Sequence, residues 1–199
     1  MVNEAIDDGQ GYLRPCKWLD IIGEDYVAKS FEIAHAENPD SLLFYNDFDI
    51  IFPEKRDKVI KLIRDLKKRE IPVHGLGIQA HWNIFEPGIE EIKTALGMYA
   101  DEGLQLQITE LDVSYYKAGD TSKLETPPPE LIDRQAEYYD KIFTLFREYR
   151  DVITGVTFWG VADDMTWLKF YPVPLRNNWP LLFDADHRPK NSFYKAIDF

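Results

Sequence analysis

Cysteine is nearly absent from this chain of 199 residues, since Cys16 is the only one. A single thiol excludes an intrachain disulfide and any metal site built from several cysteines. Apolar runs are also short, and none approaches the roughly 20 residues that a membrane-spanning helix needs. The first residues are acidic and contain no apolar segment. We therefore expect no signal peptide in this chain and no membrane among its partners.

Basic residues are outnumbered, with 23 Lys and Arg against 35 Asp and Glu, which gives a formal net charge of −12. Because a phosphate backbone attracts a basic surface, this balance argues against nucleic acid as a partner. No G-x-G-x-x-G or Walker motif is present, so no nucleotide cofactor is expected. The histidines and carboxylates show none of the usual metal-ligand spacings, and we predict no metal site and no cofactor.

What the sequence does contain is an alternation of short apolar runs with longer amphipathic stretches. The short runs, at 41–47, 73–81, 104–113 and 152–159, are typical of strands buried on both faces. Amphipathic periodicity predicts helices around 27–34, 59–66, 89–100 and 132–146, with a last short helix over 191–197. Strands that alternate with helices, without hairpin signals between them, indicate a parallel α/β fold.

Each predicted strand ends in polar or aromatic side chains that its apolar body does not explain. They are Asn46 and Asp47, Gln79 and His81, Glu110 and Asp112, and Trp159. The carboxyl ends of parallel strands share one rim, and in a β/α barrel this rim carries the active site. A doubly wound open sheet binds ligands at its crossover point and needs fewer such strand ends. The sequence therefore favours a (β/α)8 TIM barrel.

Two carboxylates end the third predicted strand. Alternation places Glu110 and Asp112 on the same face as the apolar residues 104, 106 and 108, so the acids are expected where the core meets the barrel mouth. A buried carboxylate is costly unless it is hydrogen-bonded or used in chemistry. The pair is either solvated by the following loop, or it supplies a nucleophile or general base. His81, on the neighbouring strand, is placed to hydrogen-bond one of the two acids.

The loop over 160–180 has no periodicity and is rich in aromatic residues, which is typical of a functional loop rather than a disordered one. Trp159, Trp167 and Trp179 are either ordinary core residues or flat platforms for the C–H face of a sugar ring. Acids with aromatic walls and no cofactor motif point to glycoside hydrolysis, which uses one carboxyl as acid and a second as nucleophile or base. Glu4, taken alone, is typical of an exposed acid in a frayed terminus.

Several motifs occur in the order found in glycoside hydrolase family 10, and together they span nearly the whole chain. They are Val2-Asn3-Glu4-Ala5, Tyr45-Asn46-Asp47, Gly77-Ile78-Gln79-Ala80-His81, Ile108-Thr109-Glu110-Leu111-Asp112, Thr157-Phe158-Trp159-Gly160-Val161, Trp179-Pro180-Leu181-Leu182-Phe183-Asp184 and Arg188-Pro189-Lys190. The chain therefore resembles that family, which consists mainly of retaining endo-β-1,4-xylanases on a (β/α)8 barrel. The resemblance implies xylan or xylo-oligosaccharide as the substrate, and a secreted or periplasmic location.

Carried over to this chain, the resemblance implies catalytic roles for two glutamates. Glu4 would be the acid/base and Glu110 the nucleophile of a double displacement. His81 and Asp112 would form a hydrogen-bonding relay that keeps Glu110 ionised and oriented. Asn3 would contact the 2-hydroxyl of the sugar at the cleavage point.

The resemblance further implies which residues line the sugar subsites. Gln79 would support the cleavage point, while Trp159 and Trp167 would wall the glycone side. Asn46 and Phe48 would lie toward the aglycone side. Phe48 stands where many members have a tyrosine, and this difference removes one hydroxyl from a subsite.

Only about the second half of the barrel is implied to be present, from the end of strand four to strand and helix eight, so 1–199 would form a partial catalytic domain. A complete barrel takes about 250 residues. An open half barrel exposes strand edges and apolar surface, and we expect a second copy or a separate amino-terminal half to cover them. Two alternatives to an active xylanase stay open. One is an inactive truncated fragment with residual sugar binding, and the other is a family relative that prefers β-1,4-glucan.

Overall fold

The computed structural model describes residues Val2 to Asp198. Five parallel strands within this range form one sheet. Met1 and Phe199, the two ends of the predicted 1–199 domain, lie outside the described residues. The strands are β1 (Phe44–Asp47), β2 (Gly75–Ile78), β3 (His81–Asn83), β4 (Gln105–Ser114) and β5 (Ile153–Phe158). β1 pairs with β2, both β2 and β3 pair with β4, and β5 also pairs with β4, always in parallel. This arrangement confirms the predicted parallel α/β fold.

Helices connect the strands and cover the sheet. They are α1 (Lys17–Ile22), α2 (Tyr26–Glu37), α3 (Pro53–Lys68), α4 (Ile89–Asp101), α5 (Pro129–Glu148) and α6 (Asn191–Ala196). α3, α4 and α5 each lead from one strand to a parallel neighbour, which is the unit from which β/α barrels are built. α3 and α5 begin at proline, whose missing N–H costs nothing in the first turn of a helix. α1 is the helix that periodicity did not predict, because its 6 residues are too few to show a helical period.

The second predicted strand, at 73–81, is two strands in the structure. Ala80 has a φ of 61°, which lies in the left-handed region and interrupts the extended backbone between β2 and β3. His81 therefore starts a new strand, in register with Asp112 of β4. The break leaves both strands on the same edge of β4.

A bulge in β4 overturns one expectation about its carboxylates. The register of β4 against β5 shifts between Ile108 and Leu111. The side chains of Thr109 and Glu110, although adjacent, both hydrogen-bond Asn46 and so point to the same side of the strand. The acids were predicted to share a face of the strand with the apolar residues 104, 106 and 108. This prediction is wrong, because the bulge reverses the alternation of side chains between the two faces.

The apolar core lies between the sheet and its helices. Buried side chains of β2, β4 and the helices α3 to α5 belong to one hydrophobic cluster. Because the core occupies the bodies of the strands, the polar side chains collect at their carboxyl ends. The irregular loop over 160–180, which contains only the short 3-10 turns Asp163–Met165 and Trp167–Lys169 within its length, packs over this rim.

Candidate active site

A cleft of about 820 Å³ opens at the carboxyl ends of the strands. Most of the predicted site residues line it: Glu4, Phe48, Gln79, His81, Glu110, Asp112, Trp159 and Trp167. The two others, Asn3 and Asn46, hydrogen-bond Glu4 and Glu110 respectively. The structure thus brings together every predicted site residue, although these residues come from widely separated parts of the sequence.

Glu110 is held by neighbours on both of its oxygens, with 14% of its side chain exposed. Asn46 Nδ2 donates to Glu110 Oε1 at 3.1 Å, and His81 Nε2 lies 3.3 Å from Glu110 Oε2. Thr109 Oγ1 donates to Asn46 Oδ1 at 2.7 Å, which fixes the amide with its NH₂ group toward Glu110. The two carboxylate oxygens of Glu110 therefore have fixed positions at the cleft.

His81 lies between two carboxylates. Its Nδ1 is 3.1 Å from Asp112 Oδ2, a close charge contact whose angle is poor for a hydrogen bond, while its Nε2 faces Glu110. Burial lowers the pKa of His81, but Asp112 and Glu110 outweigh burial, so the pKa is raised above its ordinary value of 6.5. The imidazole is therefore biased toward the cation, which balances the charge of the two acids.

Asp112 is 1% exposed and connects the end of β4 to the aromatic loop. Trp167 Nε1 donates to Asp112 Oδ2 at 2.7 Å. The second oxygen, Oδ1, has no hydrogen-bond partner among residues 2–198. A buried carboxylate thus fixes both the histidine beside it and the tryptophan above it.

Glu4 is anchored at this site, so the interpretation of the isolated residue as a frayed, exposed acid is wrong. Its N–H donates to the carbonyl of Asn46 at 3.0 Å, and its φ of 57° lies in the left-handed region. Gln79 Nε2 donates to Glu4 Oε1 at 3.0 Å, and Arg14 Nη1 lies 3.1 Å from Glu4 Oε2. The carboxyl group therefore has a fixed position, with 30% of the side chain exposed.

The backbone that follows Glu4 is fixed by a buried tyrosine. The N–H groups of Ala5 and Ile6 both donate to Tyr45 Oη, at 2.9 and 3.0 Å. Tyr45 Oη in turn donates to Asp47 Oδ2. Burial, followed by the charge of Asp47, raises the pKa of Tyr45 well above its usual range, so the hydroxyl keeps the proton that this bond uses.

A chain of alternating charges extends from Glu4 into the protein, and sequence reasoning missed its middle members. Arg14 contacts both Glu4 and Asp8, at 3.1 and 3.2 Å. The buried Lys55 contacts Asp8 at 2.6 Å and Asp47 at 2.8 Å. Burial raises the pKa of Asp47, although Lys55 acts in the opposite direction. Each charge has an opposite neighbour, which favours one orientation of Arg14 toward the site.

A short hairpin brings Arg14 to Glu4. Gly9 and Gly11 lie in the turn, and Ile6 pairs with Leu13 in an antiparallel bridge. Glycines between apolar residues are a hairpin signal that could have placed Arg14 beside Glu4 from the sequence.

Aromatic rings form the walls of the cleft. Trp159 is 48% exposed, and Trp167 stacks on Tyr171 at a centroid distance of 5.4 Å. On the other side, the ring of Phe48 is covered by Lys55 Nζ at 3.5 Å from its centroid. An exposed ring such as that of Trp159 fits the apolar face of a sugar. Tyr171, one of the aromatic residues of the predicted loop, also lines the cleft, a position that the motifs did not indicate.

Trp179 is not one of these platforms, and of its two possible roles the structure favours that of a core residue. Its ring packs against Tyr115 at a centroid distance of 5.6 Å, and it is partly buried against the hydrophobic cluster. Its carbonyl accepts from Gln135 Nε2 and from Lys190 Nζ. Trp179 therefore holds the end of the loop in place, and its ring is not available to stack on a ligand.

Within residues 2–198, no group of three or more His, Cys, Asp or Glu side chains is arranged to hold a metal ion. No helix in the same range is long and apolar enough to cross a bilayer. The site consists of carboxyls, their donors and aromatic walls at the rim of a parallel β/α sheet. Acids with aromatic walls at the carboxyl rim of parallel β/α units are the arrangement found in the barrel class of glycoside hydrolases.

The profile of glycosyl hydrolase family 10 matches residues 1–199, and the chain belongs to that family. The predicted family and the predicted barrel-type fold, present in part, are thereby confirmed.

Similar proteins are longer than this chain. It is 49% identical over 200 residues to an endo-1,4-beta-xylanase of Geobacillus stearothermophilus, covering 100% of this chain and 61% of that protein. The solved structure of xylanase XynB from Paenibacillus barcinonensis, complexed with a conduramine derivative, matches with a TM-score of 0.96 at 47% identity, covering 98% of this chain and 60% of the other. A mutant structure in complex with xylotriose matches with a TM-score of 0.96 at 45% identity, covering 100% and 61%. The chain therefore spans about three fifths of the length of these relatives.

Proposed function

We propose that this chain carries both catalytic carboxyls of a retaining endo-β-1,4-xylanase, with Glu110 as the nucleophile and Glu4 as the acid/base. The linked placement of the two acids supports this proposal. Asn46 Nδ2 donates to Glu110 at 3.1 Å and to Asn3 Oδ1 at 2.8 Å, and Asn3 Nδ2 donates to Glu4 at 3.1 Å. Two amides thus join the acids across one cleft.

The proposed reaction has two steps. In the first, a carboxylate oxygen of Glu110 attacks the anomeric carbon while Glu4 gives its proton to the departing glycosidic oxygen, so a glycosyl ester forms and the aglycone leaves. In the second, Glu4 takes a proton from water, the hydroxide oxygen attacks the same carbon, and Glu110 is released as carboxylate. His81 and Asp112 are positioning residues in this scheme, because they hold Glu110 without reaching the sugar carbon themselves.

Xylan and xylo-oligosaccharides are the proposed ligands of the cleft. The relative solved with xylotriose supports this assignment, since the chain is 45% identical to it. Trp159 and Trp167 would stack on the glycone side, and Asn46 and Phe48 would lie on the aglycone side. Because xylan is a polymer too large to cross a membrane, we also propose that the protein acts outside the cell.

We further propose that residues 1–199 form part of a catalytic domain, completed by segments equivalent to the remaining two fifths of the relatives. Binding energy from remote sugars contributes to catalysis only when their subsites exist. We therefore expect the 199-residue chain alone to turn over xylan slowly or not at all. Rapid xylan hydrolysis by the purified chain would contradict this part of the proposal.

Covalent trapping tests the role of Glu110. The chain is purified alone and also co-expressed with the amino-terminal two fifths of the Geobacillus stearothermophilus xylanase, and both samples are treated with 2-deoxy-2-fluoro-xylobioside bearing a dinitrophenyl leaving group. Peptide mass spectrometry should find the fluoro-sugar on Glu110 in the completed assembly. Glu110→Gln should abolish labelling, while Glu130→Gln, at an exposed position, should not change it. Labelling of a different residue, or none in the assembly, would overturn the assignment.

Leaving-group dependence tests the role of Glu4. In the assembly, Glu4→Ala should slow hydrolysis of xylobiosides with poor leaving groups far more than hydrolysis of those with dinitrophenolate, which needs no proton. Added azide should restore the rate and yield xylobiosyl azide. Equal slowing of all substrates would count against Glu4 as the acid. Parallel assays with aryl cellobiosides decide between xylan and β-1,4-glucan.

A further inference from the structure

The aromatic loop contains a run of apolar residues that the proposed reaction does not use. The run is Phe170-Tyr171-Pro172-Val173-Pro174-Leu175, and this segment is called the apolar tip. Phe170 is 66% exposed, Tyr171 61% and Leu175 77%. Consecutive apolar residues at a protein surface are unfavourable unless they have a function. The apolar tip is therefore a candidate interaction surface.

Leu175 carries two separate costs within the apolar tip. Its side chain is mostly in solvent, and its φ of 56° lies in the left-handed region of the backbone. Glycine and asparagine adopt this conformation more readily than leucine does, and both would also remove the exposed apolar side chain. Residues held in unfavourable backbone conformations concentrate at functional positions. Folding alone does not explain a leucine here, and a contact made by its exposed side chain does.

Hydrogen bonds fix the apolar tip to the loop that follows the central strand β4. The N–H of Arg176 donates to the carbonyl of Lys169 at 3.2 Å, which closes the neck of the tip. Lys123 Nζ donates to the carbonyl of Pro174 at 2.8 Å, and Arg176 Nη1 donates to that of Asp120. Lys123 and Asp120 both lie after β4 in the chain. The tip is thus anchored on the middle of the sheet, and its shape is held in advance of any contact.

The apolar tip continues one wall of the cleft toward the outside. The rings of Tyr171 and Trp167 stack, with centroids 5.4 Å apart and planes at 13°. Both residues line the cleft, whereas Phe170 and Leu175 are not among the lining residues. An apolar surface that starts at the wall of a sugar cleft and extends beyond it faces the material to which the bound sugar chain is attached.

The side chains of the apolar tip determine which material it fits. The hydroxyl of Tyr171 is their one hydrogen-bonding group, so the partner must expose apolar area and satisfy its own polar groups internally. A dissolved sugar chain does not, because its hydroxyls bond water on every side. Packed β-1,4-glucan chains do, because their hydroxyls bond one another and leave C–H groups on the ring faces. The net charge of −12 disfavours an anionic lipid surface.

We propose that the apolar tip docks on the apolar face of solid cellulose, an inference that rests on the proposed function for the kind of polymer involved. Phe170 and Leu175 would lie on the glucan rings, together with the exposed part of Tyr171. Because the tip is already fixed in shape, docking costs little conformational entropy. Docking would hold the cleft next to xylan that is attached to the fibre and would leave the cleft free.

Depletion from a suspension of microcrystalline cellulose tests the docking without any need for catalysis. The completed assembly is used with Glu110→Gln, so that added sugar is not hydrolysed. Saturating xylohexaose fills the cleft, and the protein left in the supernatant is measured. The protein should stay on the cellulose when xylohexaose is present. Release by xylohexaose would place the contact in the cleft and overturn the proposal.

Leu175→Asn connects the binding to the apolar tip, because it removes the exposed side chain and suits the backbone. It should weaken retention on cellulose about threefold, and its combination with Phe170→Asn about tenfold. The thermal unfolding temperature of Leu175→Asn should stay the same or rise. Leu42→Asn is the matched control, since Leu42 is 55% exposed and lies before β1, away from the carboxyl ends of the strands, and it should be retained normally.

Two results with these variants would contradict the proposal. Retention of the double variant equal to that of the parent protein would exclude the tip as the contact. A fall in the unfolding temperature of Leu175→Asn would show that the leucine has a structural role in the folded chain, and this role would replace the proposed one.

Other partners and the proposed function are separated by parallel measurements. Tighter retention on lignin particles or on phosphatidylglycerol vesicles than on cellulose would overturn the choice of cellulose. Weaker self-association of the Leu175→Asn chain would assign the tip to a second copy instead. Labelling of Glu110 by the fluoro-sugar without retention on cellulose would overturn the docking alone. Retention that depends on the tip, without labelling of Glu110, would overturn the xylanase assignment alone.

Discussion

At the scale of single residues, His81 connects the proposed nucleophile to the interior of the protein. It contacts Glu110 on one side and Asp112 on the other, at 3.3 and 3.1 Å. A neutral side chain of similar size would keep the shape of this contact and lose its charge. His81 therefore couples the electrostatics of the site to pH.

The stability of the folded chain should depend on the protonation of His81. Its folded-state pKa is raised above 6.5, so the contribution of the cation is complete below about pH 6.5 and is lost as the pH rises through the folded pKa. Urea unfolding of the wild type and of His81→Gln should show a difference in unfolding free energy that is larger at about pH 5.5 than at about pH 9. His187→Gln, at an exposed histidine, is the control and should show little difference. A difference for His81→Gln that stays constant with pH would refute the prediction.

At the scale of elements, β2 can approach the site closely because two of its residues have no side chain. A Cβ atom built on Gly77 would lie 2.3 Å from Asn46 Oδ1 and 3.0 Å from Thr109 Cγ2. Gly77 thus leaves the space in which the Asn46 amide reaches Glu110. The glycine is a requirement of the neighbouring strand rather than of its own backbone conformation.

Gly77→Ala should therefore displace the Asn46 side chain. We expect a loss of about 1–3 kcal/mol in the free energy of unfolding, typical of overpacking, and weaker binding of xylo-oligosaccharide in the completed assembly. Gly88→Ala is the matched control, because a Cβ there meets no atom within 4 Å. Denaturant unfolding and calorimetry measure the two effects, and equal behaviour of the two variants would contradict the steric role of Gly77.

The aromatic loop is attached to the core by a buried ion pair. Lys190 Nζ lies 2.9 Å from Asp163 Oδ2 and also donates to the carbonyls of Trp179 and Leu181. Burial raises the pKa of Asp163 to about 6, and Lys190 acts against that rise. Lys190 therefore balances the charge of Asp163 in the first 3-10 turn of the loop and also holds the carbonyl groups at the end of the loop.

Removing that cation should loosen the loop. Lys190→Met leaves Asp163 buried without its partner, so unfolding free energy should fall by about 3–5 kcal/mol at neutral pH. The loss should shrink at about pH 4, where Asp163 becomes protonated. Lys195→Met, at a half-exposed lysine 3.9 Å from Asp140, should cost less than about 1 kcal/mol. Thermal unfolding at both pH values distinguishes the variants, and similar losses for the two would exclude this attachment.

How much of these elements could be predicted from sequence depends on which interactions determine them. Periodicity located the strands and most helices, because burial of one face leaves a regular pattern. The bulge at Glu110 and the break at Ala80 left no such pattern, since each depends on how β4 pairs with strands distant in sequence. The residues of the site followed from motifs. Arg14 was missed although the glycines at 9 and 11 are a hairpin signal beside Glu4, whereas the contact of Asp8 with Lys55 depends on how that hairpin packs on α3 and leaves no local pattern.

At the scale of the whole molecule, the sheet formed by residues 2–198 has two unpaired edges, which a closed barrel lacks. Within residues 2–198, β1 pairs with β2 and β5 pairs with β4, while their outer edges belong to no paired strand. α1 exposes apolar side chains as well, with Trp18 45% and Ile21 79% exposed. Unpaired edges and exposed apolar residues both favour association.

The purified 199-residue chain should therefore associate with itself when no complementing segment is present. Light scattering after size exclusion should report species larger than the monomer, and Trp18→Glu combined with Ile21→Glu should reduce them. Leu175→Glu, which changes an equally exposed loop residue, should have no such effect. A monodisperse monomer with cooperative unfolding would contradict this prediction.

β4 lies at the centre of the sheet, and its position has a kinetic consequence. It receives β2 and β3 on one edge and β5 on the other, and it carries Glu110 near the middle of the sequence, whereas Glu4 lies near its start. Short-range helical contacts form early in refolding, but joining the first residues to β4 requires closing a long loop, which is entropically slow. The cleft is therefore among the last parts to assemble. During refolding, affinity for a sugar ligand should return with the slowest phase, well after most helical signal has been recovered.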